Sequence, residues 1–309
     1  MEQDQSARGA LLALCAYLLW GLAPVYFKQL LEVPAPEILA HRVVWSCLLL
    51  LGLITALGYW TRVRALLRRP KLLLLLLVSS LVIGTNWLVF IWAVNNNHIL
   101  DASLGYYINP LLNIVLGMVF LQERYRPLQW LAVALAAVGV LVQLLVFGSL
   151  PWVALVLALS FGTYGLIRKQ VPVDPFTGLL LETAVLLVPA LWWLWGFESA
   201  TGNLTANPAD LNLLLLAAGL VTTVPLLLFA GAASRLRLST LGFFQYLAPS
   251  LALLLGVLVY DEAFTTDKVI TFALIWTALA IYSADGLRQR RRVKREVKPH
   301  RNSKAVNKV

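Results

Sequence analysis

A chain of 309 residues that is 60% hydrophobic and only 13% charged, with a mean hydropathy of +0.78, has too little polar surface for a soluble domain of its length. Its net charge of +10 is not laid out as a nucleic-acid-binding face, because ten of the 25 Lys and Arg fall in residues 288–309, directly after an apolar run. That placement argues against a nucleic-acid partner and for a tail held against anionic membrane lipid.

Crossing a hydrocarbon core takes about 20 apolar residues of helix. Ten runs meet that length: 9–29, 36–58, 71–96, 101–122, 127–147, 151–170, 175–196, 211–234, 239–260 and 265–286. Met1–Arg8 is a short polar leader without a cleavage pattern, so the first run is expected to remain as a helix. Proline-rich or charged turns separate the runs, among them Val33-Pro34-Ala35-Pro36, Arg68-Arg69-Pro70 and Val171-Pro172-Val173-Asp174-Pro175. Proline in the first helical turn costs little, since the N–H it removes has no partner there. The expected fold class is an all-α membrane protein of ten transmembrane helices.

Taken in order, the spans carry a small set of polar and aromatic side chains. The first holds Tyr17 and Trp20; the second holds Glu37, His41 and Arg42, which share about half the helical wheel with Trp45 and Ser46. An ionisable residue inside the membrane marks function by default. Arg42 is also close enough to its helix end to snorkel as an anchor. The third span adds Asn86, Trp87 and Trp92, and the fourth adds Tyr106, Tyr107, Asn109 and Asn113. The seventh carries Glu182, approaching from the face opposite Arg42, so no direct pair between them is expected. The ninth carries Phe243, Phe244, Gln245 and Tyr246. Pro110 and Pro249 lie about 14–15 Å into the fourth and ninth spans, near the midplane, where each deletes a backbone hydrogen bond and kinks its helix. The fifth and tenth spans carry no charge in their interiors and are expected to face lipid or a second copy in a homodimer, outside the cavity. Trp60, Trp130, Trp152, Trp192, Trp193 and Trp195 sit near span ends, as interface anchors do. Cys15 and Cys47 read as packing residues. His41, His98 and His300 are too scattered for a metal site. No cofactor motif is present.

Basic residues alternate with loop number. Arg8, the 62–71 loop, Arg124 and Arg126, Arg168 and Lys169, Arg235 and Arg237, and the tail together place 22 of the 25 on one side. The positive-inside rule then makes both termini cytoplasmic.

The two halves resemble each other. Trp20-Gly21, Lys28-Gln29 and Pro34 recur as Phe161-Gly162, Lys169-Gln170 and Pro175. Ser103-Leu104-Gly105-Tyr106-Tyr107 recurs as Thr240-Leu241-Gly242-Phe243-Phe244, while Pro110, Gly117 and Glu123 recur as Pro249, Gly256 and Glu262. Each half has an odd number of spans, so the second enters from the opposite face: an inverted repeat. The expected organisation is a first five-helix repeat over 1–147, a second, inverted one over 148–287, and a basic cytoplasmic tail over 288–309. Glu123 and Glu262 would end their helices against an unfavourable dipole, offset by Arg124 and Arg126 for the first and Lys268 for the second.

Five stretches carry a resemblance: AYLLWGLAPVY at Ala16–Tyr26, PEILAHRVVW at Pro36–Trp45, NWLVFIWAVNNN at Asn86–Asn97, ASLGYYINP at Ala102–Pro110 and RLRLSTLGFFQY at Arg235–Tyr246. Through them the chain resembles the EamA-type drug/metabolite transporter superfamily, and its RarD branch most. The resemblance implies cytoplasmic termini, a central cavity between the halves, and secondary transport, usually export, in the bacterial inner membrane. An aromatic wall with few amides suits a small amphipathic organic solute better than a bare ion. The cavity is expected to be lined by Tyr17, Trp20, Arg42, Asn86, Trp87, Tyr106, Asn109, Phe243, Gln245 and Tyr246, with Glu37, His41 and Glu182 in coupling or gating. No Walker motif supports ATP hydrolysis, and no H-E-x-x-H or paired aspartates support an intramembrane enzyme.

The charge alternation predicts that a reporter fused after Lys71 or Arg126 is cytoplasmic and one fused near Asn203 is periplasmic. Both fusions reporting the same side would refute the ten-span order.

Overall fold

The computed structural model describes residues 2–95, 99–148, 152–259 and 265–297, without the side chains of 2–4, 24, 94–95, 99–101, 103, 147, 252–253, 256 and 290–297. His98, His300, Glu262 and the end of the tail lie outside the described residues, as do the side chains of Pro24, Asn95 and Gly256.

The described residues are helical throughout their regular structure. Twelve α-helices follow one another: α1 (Glu2–Phe27), α2 (Ala35–Ala56), α3 (Trp60–Leu67), α4 (Pro70–Asn95), α5 (Ile99–Leu121), α6 (Pro127–Phe147), α7 (Trp152–Gln170), α8 (Pro175–Gly196), α9 (Ala209–Ala233), α10 (Leu238–Gln245), α11 (Leu247–Val259) and α12 (Thr266–Val297). The turn chemistry sets their ends. Pro70, Pro127 and Pro175 open α4, α6 and α8, where a missing N–H costs nothing. Asp174 caps α8 by accepting from the Thr177 N–H at 3.0 Å. Gly148, at φ 71°, closes α6 in the left-handed region.

Nine of the described helices are long and apolar enough to cross a membrane. The ninth span of the sequence reading is instead two helices, α10 and α11, broken at Tyr246. Pro249 lies four residues beyond Gln245 and has no N–H to offer its carbonyl, and Tyr246 turns its own N–H to Phe243 at 3.3 Å. The equivalent Pro110 stays inside a continuous α5. The kinks expected as a pair are therefore unequal. Two further differences have simple causes. Residues 60–67, read as loop, form α3, because Val63 and Leu66 fall on one buried face while Arg62 and Arg64 face outward. α12 runs past 286 through Val297, since nothing breaks it before Pro299.

The chain is an all-α membrane protein, and its packing carries the two-fold repeat. By contacts it divides into a larger unit, residues 1–123 and 149–263, and a smaller one, residues 124–148 and 264–309. In repeat order the mates are α1 and α7, α2 and α8, α4 and α9, α5 and α10–α11, and α6 and α12. Within the larger unit α1 packs on α9, and correspondingly α7 on α4. The packing of α5 on α7 is matched by α11 on α1, and that of α2 on α9 by α8 on α4. The pairs α2 with α8 and α5 with α10 are their own mates. The smaller unit is the self-mated pair α6 and α12, where the Arg126 Nε donates to Asp285 at 2.8 Å and the Gln143 amide to Thr271 at 2.9 Å.

Polarity is turned inside out. Ser79, Thr223 and Ser239 are fully buried, while Leu145, Val188 and Leu258 are more than 70% exposed, as befits a molecule solvated by hydrocarbon. Close helix crossings rest on small residues. A Cβ on Gly219 of α9 would come within 2.6 Å of the Trp45 backbone on α2, and one on Gly242 of α10 within 2.9 Å of the Pro110 carbonyl on α5.

Gly219→Ala should therefore force α2 and α9 apart, at about 1–3 kcal/mol for overpacking. Gly52→Ala, with nothing within 4 Å of the added carbon, should be neutral. Equal melting temperatures for the two variants in detergent would contradict the crossing.

Candidate functional site

Four groups of polar and aromatic side chains fill the interior of the larger unit. The first gathers on α2. Arg42 is buried, and its Nε donates to the Thr222 hydroxyl of α9 at 2.9 Å. Its guanidinium carbon lies 4.9 Å from the centre of the Trp87 ring and 5.5 Å from that of Phe27, both within cation–π range. The approach of α2 to α9 at Gly219, where the Ser46 hydroxyl also donates to the Gly219 carbonyl at 3.2 Å, brings Thr222 within reach. Immediately before Arg42 in the sequence, His41 accepts from the Trp45 indole at 3.1 Å, leaving its Nε2 buried without a partner. Glu37 turns away to the 197–208 loop, where the hydroxyls of Ser199 and of Thr201 (2.8 Å) donate to it. It fastens that loop to α2.

The second group is aromatic. Tyr17 and Trp20 of α1 meet Phe161 and Tyr164 of α7 and Phe229 of α9, with neighbouring ring centres 5.3–6.3 Å apart. The Tyr17 hydroxyl is buried among them with no partner.

The third group lies where α5 crosses the α10–α11 break. The Asn113 amide donates to the Gln245 carbonyl oxygen. The buried Tyr246 hydroxyl, at the break, donates to the Tyr107 carbonyl at 3.3 Å. Phe243 packs on Tyr246 with ring centres 6.4 Å apart. The amide oxygens of Asn109 and Asn113 are buried with acceptor capacity unspent.

The fourth group is a buried ion pair that sequence reasoning missed. Glu182 of α8 accepts from Ser79 of α4 at 2.6 Å, from Tyr164 at 3.5 Å and from Arg168 of α7 at 3.5 Å. Both charged side chains are essentially without solvent exposure. Arg168, in the last turn of its span and counted with the basic residues of one membrane side, turns its guanidinium inward, over Gly178. A Cβ on Gly178 would meet it at 2.2 Å. Arg42 and Glu182 are engaged separately, the first by Thr222 and the second by Arg168.

Not every predicted site residue joins these groups. Asn86 is spent on an interhelical bond, donating to the Leu157 carbonyl at 3.0 Å and to Ser160 at 2.9 Å. Tyr106 is 44% exposed, its ring edge-on to Phe90. Neither of two apolar clefts, of about 520 Å³ beside Leu74 and Leu181 and about 380 Å³ beside Leu81 and Leu159, is lined by a predicted site residue. Glu123 is placed at the start of another helix. What holds it is the N-terminus of α10: the N–H groups of Leu238 (2.6 Å) and Ser239 (3.2 Å), the Ser239 hydroxyl and Arg237. Gln122, at φ 53°, turns the chain there. Arg126 is committed to Asp285 instead. Among the missed residues, Phe161 had a signal, being the repeat mate of Trp20. Thr222 and Phe229 had none beyond lying in an apolar span. Among the described residues no cluster of His, Cys, Asp and Glu could hold a metal ion.

The sequence pattern of EamA-like transporters matches this chain twice, over residues 7–145 and 150–284. The chain belongs to the EamA-like transporter family. It is 59% identical to an uncharacterized transporter of Vibrio cholerae over 93% of this chain and 95% of the relative. It is 55% identical to the protein RarD of Salmonella typhimurium over 94% of this chain and all of the relative. A chloramphenicol-sensitive protein RarD of Pseudomonas aeruginosa is 34% identical over 92% and 96% of the two chains. A solved crystal structure, 21% identical, matches the fold with a TM-score of 0.68 over 89% of this chain and 96% of its own. The protein is thus a multi-pass membrane transporter, from a family of transporters rather than enzymes. The first matched segment begins within α1 and the second just ahead of α7, the mated helices whose aromatic residues face one another in the second group.

Removing one member of a buried ion pair strands the other, at about 3–5 kcal/mol. Glu182→Leu should lower the thermal stability of the transporter accordingly, and Arg168→Met added to it should recover most of the loss. A double variant no more stable than Glu182→Leu would show that the two charges do not compensate each other.

Proposed function

We propose that the chain is a secondary transporter exporting small amphipathic organic metabolites or drugs across the bacterial inner membrane by alternating access, with both termini cytoplasmic. The observation that carries this reading is the mated packing of the larger unit. Each interface between unlike helices named above has a repeat mate, so exchanging the two arrangements costs little net contact, and one sequence can pack open to either face. The interior between those interfaces supports an organic rather than a bare inorganic cargo: it is walled by Tyr17, Trp20, Phe161 and Phe229, with amides at Asn109, Asn113 and Gln245. The broken α10–α11 supplies a backbone interruption within one half, the kind of element that lines binding sites in transporters. Glu182 and Arg168 at one group, and Glu37 with Ser199 and Thr201 at another, are candidates for gates, because each ties separate elements together through one carboxylate.

Overproduction should deplete at least one amphipathic organic solute from cells and enrich it in the medium, deletion should do the reverse, and proteoliposomes should then move that solute. Solute profiles indifferent to the protein's level would sink the export reading.

A further inference from the structure

The larger unit carries two buried arginines in spans, and they are neutralised differently. Arg168 has an internal counterion, Glu182, itself held by Ser79 and Tyr164. Arg42 is only 9% exposed and, among the described residues, has none. Among the described residues it bonds one hydroxyl, Thr222, and faces two rings, Trp87 and Phe27, with the neutral phenols of Tyr26 and Tyr106 also near enough to interact with its charge. Glu37, the carboxylate nearest along α2, is taken up by Ser199 and Thr201. A guanidinium has five N–H donors. Thr222 engages the one at Nε, and the terminal nitrogens find no hydrogen-bond partner among the described residues, yet they are not among the atoms sealed from solvent.

Two features select what meets that free edge. A charge this deep in a spanning helix is costly unless an opposite charge or trapped polar groups offset it, and rings on its faces offset only part of the cost. The occupied Nε leaves the two terminal nitrogens side by side, an edge that matches the two oxygens of a carboxylate in a bidentate pair. From the combination of a buried uncompensated guanidinium, its free terminal edge and its aromatic flanks, we propose that Arg42 is the anion-binding residue of the substrate site, so that the cargo is an amphipathic organic carboxylate rather than a neutral or cationic solute. This rests on the transport reading and narrows it. Thr222 acts as a positioning residue, fixing the guanidinium by its Nε so that the terminal edge stays open.

The test uses three probes of one shape and different charge: phenylacetate, phenylacetamide and phenethylammonium. Binding to the purified full-length protein in detergent is followed by calorimetry and by tryptophan fluorescence, to which Trp87 contributes. Phenylacetate should bind saturably and about tenfold or more tighter than the amide, as charge-assisted hydrogen bonds imply, and the cation should bind no better than the amide. Arg42→Met should abolish the preference. Arg42→Lys, which keeps the charge and loses the fork, should reduce it severalfold, and Thr222→Val should reduce it with Arg42 intact; these two serve if Arg42→Met does not fold. Added phosphatidylglycerol should leave the phenylacetate affinity unchanged. No saturable phenylacetate binding, equal affinity for the three probes, a preference that survives Arg42→Met, or displacement by phosphatidylglycerol, which would assign the edge to lipid phosphate, would each overturn the proposal. Flux separates it from the broader reading. Carboxylate binding without movement of any solute in proteoliposomes would leave the anion site standing and remove transport. Equal flux of amide and carboxylate would do the opposite.

Discussion

Carrying charge into hydrocarbon is the most costly step in building this molecule, and the packing of the larger unit is organised around offsetting it. Each buried polar group must find its partner inside the protein, because the lipid offers none. Around Glu182 that requirement draws in side chains from two helices besides its own: Ser79 of α4, and Tyr164 and Arg168 of α7. Gly178 is part of the same solution, since any side chain there would occupy the space of the Arg168 guanidinium. The ion pair thus fixes the register of α7 against α8 as well as the charge balance.

The repeat supplies the second constraint. Mated interfaces make the two halves nearly interchangeable in contact pattern, but the sequence does not keep them identical at the crossing of α5 with α10. Pro110 is tolerated inside α5, while Pro249 coincides with a break that frees the Tyr246 hydroxyl to reach the Tyr107 carbonyl. The close approach of Gly242 to the Pro110 carbonyl ties the two proline sites together. Glu123, capping α10 from the end of α5, then anchors the short helix at its other end. A helix of eight residues has little stability of its own, so α10 depends on those two attachments.

Much of this was legible in the sequence because membrane packing obeys few rules. Length and hydropathy located the spans, and identical spacings such as Trp20-Gly21 and Phe161-Gly162 revealed the repeat. Individual partners were another matter. Periodicity placed Arg42 on the polar side of α2, but nothing in a run such as Gly219-Leu220-Val221-Thr222 distinguishes the hydroxyl that meets it from one that bonds its own helix. Arg168 was counted only by membrane side, and it is the glycine on the neighbouring helix that makes the inward turn of its guanidinium possible. The helix α3 was missed for a different reason: eight residues, six of them exposed and two buried, look like loop to any measure averaged over a span.

Helix α7 is where these threads meet. Its Phe161 and Tyr164 complete the aromatic group, Gly162 lies against the Asn113 side chain, Tyr164 and Arg168 hold Glu182, and the Lys169 ammonium donates to the Leu236 and Ala233 carbonyls at the end of α9. Tyr164 alone belongs to two groups, with its ring stacked on Phe229 and its hydroxyl on Glu182. A shift of α7 by even an ångström would therefore disturb the aromatic wall and the ion pair together, because close-packed interiors do not absorb such displacements locally. Its mate α1 shares only the aromatic contact and carries no ionised residue between Arg8 and Lys28. The two halves are alike in packing and unlike in charge, so whatever moves through this interior meets its electrostatic constraints on α2 and α7 and a mainly apolar, aromatic surface on α1.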